Sequence, residues 1–395
     1  MKKIAIVSTM NLPTPAVKGG AVETLITHLI DENEIKHLFD IDLYTLYDER
    51  IDIKKYKYTK IIEIKTNKLC AFIQKFINIF NIILKRKKYN YLFSKLGRII
   101  SQNNYDKIVV ENNMFVYMSV YKSLKNKKNI PLIYHMHNDF NSTDKTIDNY
   151  KFIANSAEKI LTVSNYIKKR VSGVLNNNNI YVLYNSIDNK LYVPDKAISL
   201  REKYNFKNED IIIGYTGRIT PEKGILELVK AFKKIITKKS IKLLIVGSQW
   251  YGKLEKDKYF DNLNNEIQSI QGDVLFTGLI SQNDMPNVYK TMDILVVPSM
   301  CEEAFGCVAI EGMAMEKPII VAKSGGLTEI VKSNFGYIIE KNEKFIDELS
   351  KKMELLVNDD EKRIEYGKNA KLEFDNIENY HKDKYYDNFS DYILK

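Results

Sequence analysis

Short runs of β-branched and other apolar residues alternate along this chain with longer segments of helical periodicity. Such runs are typical of buried strands, whereas apolar positions three and four apart are typical of helices. The first half contains six predicted strands: Lys3–Ser8, Ile41–Thr45, Lys107–Glu111, Pro131–His135, Lys159–Val163 and Ile180–Leu183. The helices predicted between them are Ala21–Ile30, Phe72–Leu84 and Met114–Leu124.

The alternation starts again after a looser stretch around Pro194. The strands predicted there are Ile211–Thr216, Lys242–Val246, Val274–Thr277, Ile294–Pro298 and Pro318–Val321. The helices predicted there are Ile225–Ile236, Met285–Met292 and Cys307–Glu316. Because such alternation is typical of parallel sheets covered by helices, we expect two doubly wound, Rossmann-like α/β domains, 1–190 and 191–370, facing each other across a cleft.

The last stretch, Glu361–Leu394, has helical character and is rich in tyrosine and lysine. Its pattern is compatible with two placements: it could complete the second domain or cross back to the first. We assign 371–395 as a C-terminal helix that could pack on the N-terminal domain.

The charge of the chain is strongly basic in one segment. The net charge is +10, and the basic residues between 54 and 98 are accompanied by a single acidic residue, Glu63. Apolar residues recur there at helical spacing, namely Phe72, Phe76, Ile79, Phe80 and Ile83. This pattern fits a helix on an anionic membrane surface, or a solvated helix that packs on its own domain. No nucleic-acid-binding motif accompanies the charge, so we expect no nucleic-acid partner.

Length, cysteine content and hydropathy restrict the class of protein further. A chain of 395 residues fits two domains of ordinary size. Cys70, Cys301 and Cys307 have neither disulfide nor zinc spacing. The apolar run after Met1 is too short for a signal sequence, and no run is long enough for a transmembrane helix. We expect a cytoplasmic protein, either free or peripheral on the inner face of the membrane.

The first candidate ligand-binding loop follows the strand Ile211–Thr216. It carries Arg218 and Lys223 and ends at Gly224. Ligands bind at the carboxyl ends of parallel strands in doubly wound folds. Arginine can bind phosphate with two hydrogen bonds, and lysine supplies a compact charge. The loop therefore predicts a phosphate site, the alternative being a surface loop with two solvated cations.

The second candidate loop lies between the strand ending at Pro298 and the helix starting near Gly306. Backbone N–H groups at a helix start bind anions, and Gly306 allows a ligand to approach the backbone. Glu303 lies in this loop, and Glu311 lies on an apolar helix face. A carboxylate there is costly unless it meets a cation or hydroxyl groups, such as those of a sugar. The alternative is a glutamate that faces solvent.

Two glycines, Gly19 and Gly20, separate the first strand from the first helix. They permit close approach of an anion, although a lone Gly-Gly pair is a weak signal. The three-glycine dinucleotide fingerprint is absent, which argues against a nicotinamide enzyme.

His135 and His137 end a predicted strand of the first half and share one face of it. Two histidines at this spacing also fit a metal site. No third ligand is evident from the sequence, so we expect no metal.

The spacing of Glu303 and Glu311 resembles the E-x7-E motif of the retaining glycosyltransferases of family 4, which have the GT-B fold. Similar pieces occur in the same order around it: Gly217-Arg218, Glu222-Lys223-Gly224, Gly278, Pro298-Ser299 and Gly325-Gly326-Leu327-Thr328-Glu329-Ile330. The resemblance covers the C-terminal half, while the N-terminal half matches weakly. The spacing from Gln249-Trp250-Tyr251-Gly252 is similar to that of a bacterial subset that builds cell-surface or spore-coat polysaccharides.

The resemblance implies a role for each matching residue of the second half. Arg218 and Lys223 would hold the diphosphate of the donor, and Glu311 would bind the ribose hydroxyls. Glu303 would bind the transferred sugar with the backbone of Phe305, Gly306 and Cys307. Gly278 and Leu279 would lie along the edge of the nucleobase.

The resemblance also assigns residues of the first half. Gly19 and Gly20 would meet the donor phosphate and the acceptor, and His137 would lie near the transferred sugar. The turn Asn185-Ser186-Ile187-Asp188 is similar to the family's Asn-Gly-x-Asp turn, with serine at the glycine position.

The resemblance implies a retaining, metal-independent hexosyltransferase that uses a nucleotide-diphosphate sugar, most simply a UDP-sugar, and no cofactor. Its acceptor would be a glycan or a lipid-linked sugar in the synthesis of bacterial lipopolysaccharide or capsule. We expect front-face substitution, because no spare carboxylate is poised as a nucleophile. Two alternatives are a catalytically idle GT-B scaffold protein and a sugar-nucleotide epimerase, which product analysis without acceptor distinguishes.

Overall fold

The computed structural model describes residues 1–65, 90–125, 130–139, 144–175, 179–247 and 258–395. They form two compact units, one of Met1–Tyr184 with Lys382–Lys395 and the other of Asn185–His381. The predicted helix Phe72–Leu84, Cys70 and the central part of the basic segment 54–98 lie outside the described residues, as does Gln249-Trp250-Tyr251-Gly252.

The first unit is built on a parallel sheet that has seven strands within the described ranges, in the order β3-β2-β1-β4-β5-β6-β7. The strands are β1 Lys2–Val7, β2 Phe39–Leu46, β3 Thr59–Ile64, β4 Lys107–Glu111, β5 Leu132–Met136, β6 Lys159–Thr162 and β7 Ile180–Val182. Every neighbouring pair is parallel. The carboxyl ends of β1, β4 and β5 therefore lie side by side at one edge.

The helices of the first unit are α1 Ala21–Lys36, α2 Tyr91–Ser101, α3 Met114–Leu124, α4 Asp144–Ser156 and α5 Asn165–Leu175. Asn113 explains why α3 starts where it does, because its side chain accepts a hydrogen bond of 3.1 Å from the backbone N–H of Val116. The core joins β1 and β2 to the inner face of α1, where Leu25, Ile26 and Leu29 are buried.

The second unit has a parallel sheet of six strands within its described residues, in the order β10-β9-β8-β11-β12-β13. The strands are β8 Ile211–Thr216, β9 Ile241–Val246, β10 Val274–Gly278, β11 Ile294–Val297, β12 Ile319–Ala322 and β13 Gly336–Ile339. The helices are α6 Ile225–Phe232, α7 Lys258–Gln268, α8 Met285–Thr291, α9 Cys307–Ala314, α10 Leu327–Ile330, α11 Phe345–Asn358 and α12 Asp360–Asn376. The two doubly wound α/β units confirm the predicted fold class.

Two strands, β3 and β13, were not predicted from the sequence. Both lie at an edge of their sheet. Lys60 and Glu63 interrupt the apolar run of β3, and Gly336 begins the short β13, so the hydrophobic signal of these two strands is diluted. Helices α2, α4 and α5 were also not predicted.

The C-terminal stretch, predicted as one helical region, consists of two helices that belong to different units. Helix α12 packs against α9 in the second unit. The last helix, α13 Lys382–Leu394, packs on α1 of the first unit and adds Tyr385, Phe389 and Ile393 to that unit's core. The unit boundaries therefore fall at 184 and 381, rather than at the expected 190 and 370.

None of the helices formed by the described residues combines the length and the apolar character needed to cross a bilayer.

Candidate active site

The loop after β8 presents Arg218. Gly217 has φ +148°, and a Cβ at this position would lie 2.8 Å from the hydroxyl oxygen of Tyr215. That hydroxyl donates a hydrogen bond of 2.7 Å to the carbonyl of Arg218. The guanidinium lies 3.9 Å from the carboxylate of Glu222, and the Arg218 side chain is 47% exposed. A buried tyrosine thus holds the loop backbone while the guanidinium reaches the surface.

Lys223 and Glu303 form an ion pair that joins the two predicted loops. Lys223 Nζ lies 2.6 Å from Glu303 Oε1, and the Ser299 hydroxyl donates to the same oxygen at 2.5 Å. The two side chains are only 17% and 19% exposed. Gly224 has φ +72°, and a Cβ there would lie 2.0 Å from the carbonyl oxygen of Pro298, so the loops meet backbone to backbone.

The backbone of Glu303 is held by the segment that follows β12. Its N–H donates to the Ser324 hydroxyl (2.9 Å), which donates in turn to the carbonyl of Cys301 (2.6 Å). The N–H of Gly326 donates to the carbonyl of Glu303 (2.8 Å). A Cβ on Gly326 would lie 2.6 Å from the carbonyl oxygen of Ala304. These contacts give Gly326 a structural role in this loop.

Helix α9 begins directly after Gly306, which has φ +115°. A Cβ on this residue would lie 2.3 Å from a methyl carbon of Leu327. The first N–H groups of an α-helix have no partner within the helix, and glycine has no side chain to cap them. Phe305 is buried and packs edge-on against Tyr380, so its backbone, rather than its ring, is the part suited to a ligand.

Cys307 is the first residue of α9, and its thiol is not suited to nucleophilic chemistry. Its Sγ accepts a hydrogen bond of 3.5 Å from the side-chain amide of Asn185. Burial, together with the nearby Glu311 carboxylate, raises the pKa of the Cys307 thiol to about 12. A protonated thiol is a poor nucleophile, so the part of Cys307 that the resemblance assigns to ligand binding, its backbone, is the part that this structure leaves suited to it.

Glu311 lies at the centre of a hydrogen-bond network on α9. The hydroxyl of Tyr289 donates to its Oε2 at 2.6 Å and also lies 2.9 Å from the Thr216 hydroxyl. Gln282 donates to the hydroxyl of Tyr192 at 3.0 Å. Burial raises the pKa of Glu311 to about 7, although hydrogen bonds from Tyr289, Tyr192 and Gln282 oppose that rise.

Tyr192, Gln282 and Tyr289 were not predicted as site residues. They come from three different segments of the chain and carry no motif of their own. The sequence signal for such partners was the free-energy cost of burying an isolated carboxylate on the apolar face of α9. That cost indicates that partners exist but does not identify them.

Gly278 and Leu279 lie where β10 ends. Gly278 has φ +73°, and its carbonyl accepts a hydrogen bond of 3.0 Å from the N–H of Gly247. A Cβ on Gly247 would lie 1.8 Å from the carbonyl oxygen of Gly217, so this strand end lies beside the loop that carries Arg218. Leu279 is 66% exposed and offers apolar surface there.

In the first unit, Gly19 and Gly20 have φ +73° and +103°, and α1 begins directly after them. A Cβ on Gly20 would lie 2.2 Å from Oε2 of Glu23. Glu23 is buried and accepts a hydrogen bond of 2.6 Å from the Thr9 hydroxyl. The Gly19–Gly20 loop therefore packs on the buried carboxylate of Glu23, which was not predicted as a site residue.

His137 lies in a buried cluster with Glu111 and His135. Its Nε2 is 2.8 Å from Glu111 Oε2, and Nδ1 of His135 is 3.0 Å from the same oxygen. The sequence showed no third potential ligand beside the histidines, and the structure adds Glu111: one ligand atom from each of the three residues lies within 4.8 Å of the others. The absence of a metal stays a prediction. Glu111 was missed because the pairing of β4 with β5, which places it opposite His135, is not written in the local sequence.

Two known protein families match the sequence of this chain. The family "Glycosyl transferases group 1" matches residues 197–373, and "Glycosyltransferase Family 4" matches residues 63–191. The chain thus contains a glycosyltransferase group 1 domain and a glycosyltransferase family 4 domain. The two matches meet near residue 190, close to the boundary of the two units.

Curated relatives include proteins of surface polysaccharide and spore-coat systems. The chain is 32% identical to lipopolysaccharide 1,2-N-acetylglucosaminetransferase of Salmonella typhimurium over 226 residues, which are 57% of this chain and 56% of that protein. This match spans little more than half of the relative's length. Spore coat protein SA of Bacillus subtilis is 24% identical over 384 residues, 94% of each chain.

Solved structures share the architecture of this chain. HepE of Anabaena in complex with UDP-glucose superposes with a TM-score of 0.76 at 19% identity, covering 100% of both chains. A glycosyltransferase of Rickettsia africae superposes with a TM-score of 0.76 at 22% identity, covering 100% of this chain and 99% of that one. These likenesses support the GT-B fold.

Proposed function

We propose that this chain transfers a hexose from a nucleotide-diphosphate sugar to a hydroxyl of a glycan or lipid-linked acceptor in surface polysaccharide synthesis. The observation that carries the proposal is the arrangement in the second unit, where the Lys223–Glu303 pair, the start of α9 and the Glu311 network lie on consecutive loops of one sheet. The similarity to a lipopolysaccharide N-acetylglucosaminetransferase supports the pathway, and the UDP-glucose bound to HepE supports the choice of a UDP-sugar.

Each part of the arrangement fits one part of such a donor. Arg218 and Lys223 supply positive charge for a diphosphate, and the first N–H groups of α9 add hydrogen-bond donors. Glu303 can accept hydrogen bonds from hydroxyls of the transferred sugar, and Glu311 from those of the ribose. Leu279 supplies apolar surface for the edge of the base. His137 and the Gly19–Gly20 loop serve the sugar and the acceptor in the first unit.

Transfer proceeds with retention in this proposal. The bond between the anomeric carbon and the diphosphate oxygen breaks, and the acceptor oxygen bonds to the same face of that carbon. The departing phosphate oxygen takes the acceptor's proton. The Arg218 and Lys223 cations and the start of α9 stabilise the leaving diphosphate, so no metal ion is needed at this position. An NMR assay of the product that showed an inverted linkage would refute retention, and loss of activity in EDTA would refute metal independence.

Donor binding tests the proposal directly. We expect UDP-sugars to raise the melting temperature more than GDP- or ADP-sugars, because a ligand that binds only the folded state stabilises it. Arg218→Ala and Lys223→Ala should each weaken donor binding about ten- to a hundred-fold, since a charge-assisted hydrogen bond is worth about 1.5–3 kcal/mol.

Lys233→Ala is the matched control, because Lys233 forms a Lys–Glu pair of 2.7 Å with Glu266 elsewhere on the same unit. Its donor affinity should stay at the wild-type value. Full turnover in an Arg218→Ala/Lys223→Ala double variant would overturn the proposal. Donor binding without transfer or donor hydrolysis would indicate an idle scaffold, and a changed donor sugar without acceptor would indicate an epimerase.

We propose further that the enzyme works at the cytoplasmic face of a membrane, where a lipid-linked acceptor would be found. The excess of basic residues between 54 and 98 supports this location. Cosedimentation with vesicles containing anionic lipid, but not with neutral vesicles, is the expected result. Equal sedimentation with both would contradict an electrostatic attachment.

A further inference from the structure

The buried cluster of the first unit contains an ordered carboxylate–imidazole contact that the proposed function does not use. Glu111 is the last residue of β4, and it lies opposite His135 of β5 in the sheet register. His137 follows two positions later and points to the same side, so its Nε2 lies 2.8 Å from Glu111 Oε2. Glu111 and His135 are fully buried, and His137 is 6% exposed.

The geometry indicates one hydrogen bond to the carboxylate. Oε2 of Glu111 lies 2.8 Å from Nε2 of His137, which is an ordinary N–H···O separation. Nδ1 of His135 lies 3.0 Å from the same oxygen but makes no hydrogen bond to a described residue. Ligands of a tetrahedral metal ion would instead surround an ion about 2.0–2.2 Å from each of them. A hydrogen bond between His137 and Glu111 therefore describes this geometry better than a metal centre does.

The short contact assigns a proton to the facing nitrogen of His137. An ionised carboxylate only accepts hydrogen bonds, so Nε2 of His137 donates to Oε2 of Glu111. A neutral imidazole with its proton on Nε2 has an acceptor at Nδ1.

The loop that follows Glu111 fixes the backbone of His137. Its N–H donates to the side-chain oxygen of Asn112 at 2.9 Å, and Asn113 donates to the carbonyl of Thr9 at 2.8 Å. The ring nitrogen Nδ1 of His137 is buried and has no hydrogen-bond partner among the described residues. A buried nitrogen without a partner is costly, which indicates that a ligand completes its bonding.

We propose that Glu111 is a positioning residue: it holds His137 as the Nε2–H tautomer, so that Nδ1 accepts a hydrogen bond from a hydroxyl of the transferred sugar. This inference rests on the proposed transfer reaction for its catalytic consequence, but not for the tautomer itself. Glu111 touches His137 and not the sugar.

Nitrogen-15 NMR of the full chain labelled at histidine tests the tautomer without any substrate. The chain has only 5 histidines, and His137→Gln assigns the signal by its disappearance. The expected result is a single Nε2–H tautomer of His137 that Glu111→Gln converts into a mixture. An Nδ1–H tautomer in the wild-type protein would overturn the proposal. So would a stoichiometric metal ion on the purified protein that is lost in the Glu111→Gln variant.

Kinetics test the catalytic consequence. Glu111→Gln should lower kcat about ten- to a hundred-fold, the usual scale for a misplaced group, and leave the Kd for UDP within about two-fold. In the His137→Gln background the same substitution should change kcat no further, because Glu111 acts through His137. An additive effect, or a wild-type kcat for Glu111→Gln, would overturn the proposal.

Asp42→Asn is the matched control, since Asp42 is another buried carboxylate of the same sheet and accepts a hydrogen bond of 2.6 Å from Tyr105. It should leave kcat and the His137 signal unchanged. If Glu111→Gln does not fold, Glu111→Asp replaces it, with the same tautomer and kcat readouts. A failed proposed function would show as absent transfer in the wild type, whereas a failed positioning role would show as a wrong tautomer in a protein that still binds UDP.

Discussion

At the scale of single residues, burial and ligand binding favour opposite protonation states of Glu311. It is buried on the apolar face of α9, which favours its protonated form, yet hydroxyl groups of a ligand are bound best by the ionised form. Its pKa of about 7 lies within the physiological range as a result. The network of Tyr289, Tyr192 and Gln282 brings the carboxylate to this point, since without those hydrogen bonds burial would raise its pKa further.

Donor affinity should therefore depend on pH around neutrality. As pH rises through about 7, Glu311 ionises and becomes a pure acceptor, so the Kd for a UDP-sugar should fall. Tyr289→Phe removes a hydrogen bond that lowers the pKa of Glu311, and should move this transition to higher pH. Isothermal titration between pH 5.5 and about 8.5 measures both effects. Tyr117→Phe, a buried tyrosine of the first unit, is the control and should leave the transition in place.

Stability should respond to the same carboxyl group in the opposite direction. The folded pKa of Glu311 lies above its ordinary value of 4.5, so its stabilising contribution is complete below about 4.5 and is lost as pH rises through about 7. Glu311→Gln should therefore raise the melting temperature at pH 8 by about 2–4 °C without ligand, while weakening donor binding. A lower melting temperature together with unchanged affinity would contradict this account of Glu311.

Gly306 is restricted by both conformation and space. Its φ is +115°, and a Cβ would lie 2.3 Å from a methyl carbon of Leu327. Gly306→Ala should cost about 1–3 kcal/mol of folding stability and also weaken donor binding, because it displaces the start of α9. Gly173→Ala is the control, since Gly173 lies in α5 with open space around its Cα, and it should be neutral or slightly stabilising. Urea denaturation and UDP titration provide the two readouts.

At the scale of elements, the chain's last helix is a core element of the first unit. Phe389 of α13 is fully buried there, and the hydroxyl of Tyr386 donates to Asn33 of α1 at 2.7 Å. Lys36 of α1 lies 2.5 Å from Asp387. The helix therefore closes a unit whose other elements end at residue 184.

Removing one side chain of this helix should destabilise the first unit. Phe389→Ala should cost about 3–5 kcal/mol, because a buried phenyl ring is replaced by a cavity. Leu394→Ala, in the same helix but 48% exposed, should change stability by less than about 0.5 kcal/mol. The midpoint of urea unfolding followed by tyrosine fluorescence measures both. Equal effects of the two substitutions would show that α13 is not part of the core.

Element prediction from the sequence succeeded best where a local signal defines the bounds. Strands β4 and β8 and helix α3 have the predicted bounds, because continuous apolar runs and the Asn113 cap define them locally. Strands β3 and β13 escaped prediction because polar residues interrupt β3 and because β13 is short and begins with glycine.

At the scale of the whole molecule, the repeated strand–helix pattern was enough to predict two doubly wound units. Parallel strands buried on both faces need long apolar runs, and that requirement is visible in any linear stretch of the chain. Glycines and charged residues at strand ends also carry a local signal, on which the site residues Arg218, Lys223, Glu303, Gly306 and Glu311 were predicted. Their role in binding stays a prediction.

The partners of these residues depended on the three-dimensional fold. The Lys223–Glu303 pair, the contact of Tyr289 with Glu311 and the meeting of Glu111 with His137 each join segments that are far apart in the chain. The return of the last helix to the first unit is of the same kind. Hydrophobic periodicity reports whether a residue is buried, whereas strand order and register set which residues meet. A linear pattern contains the first kind of information and not the second.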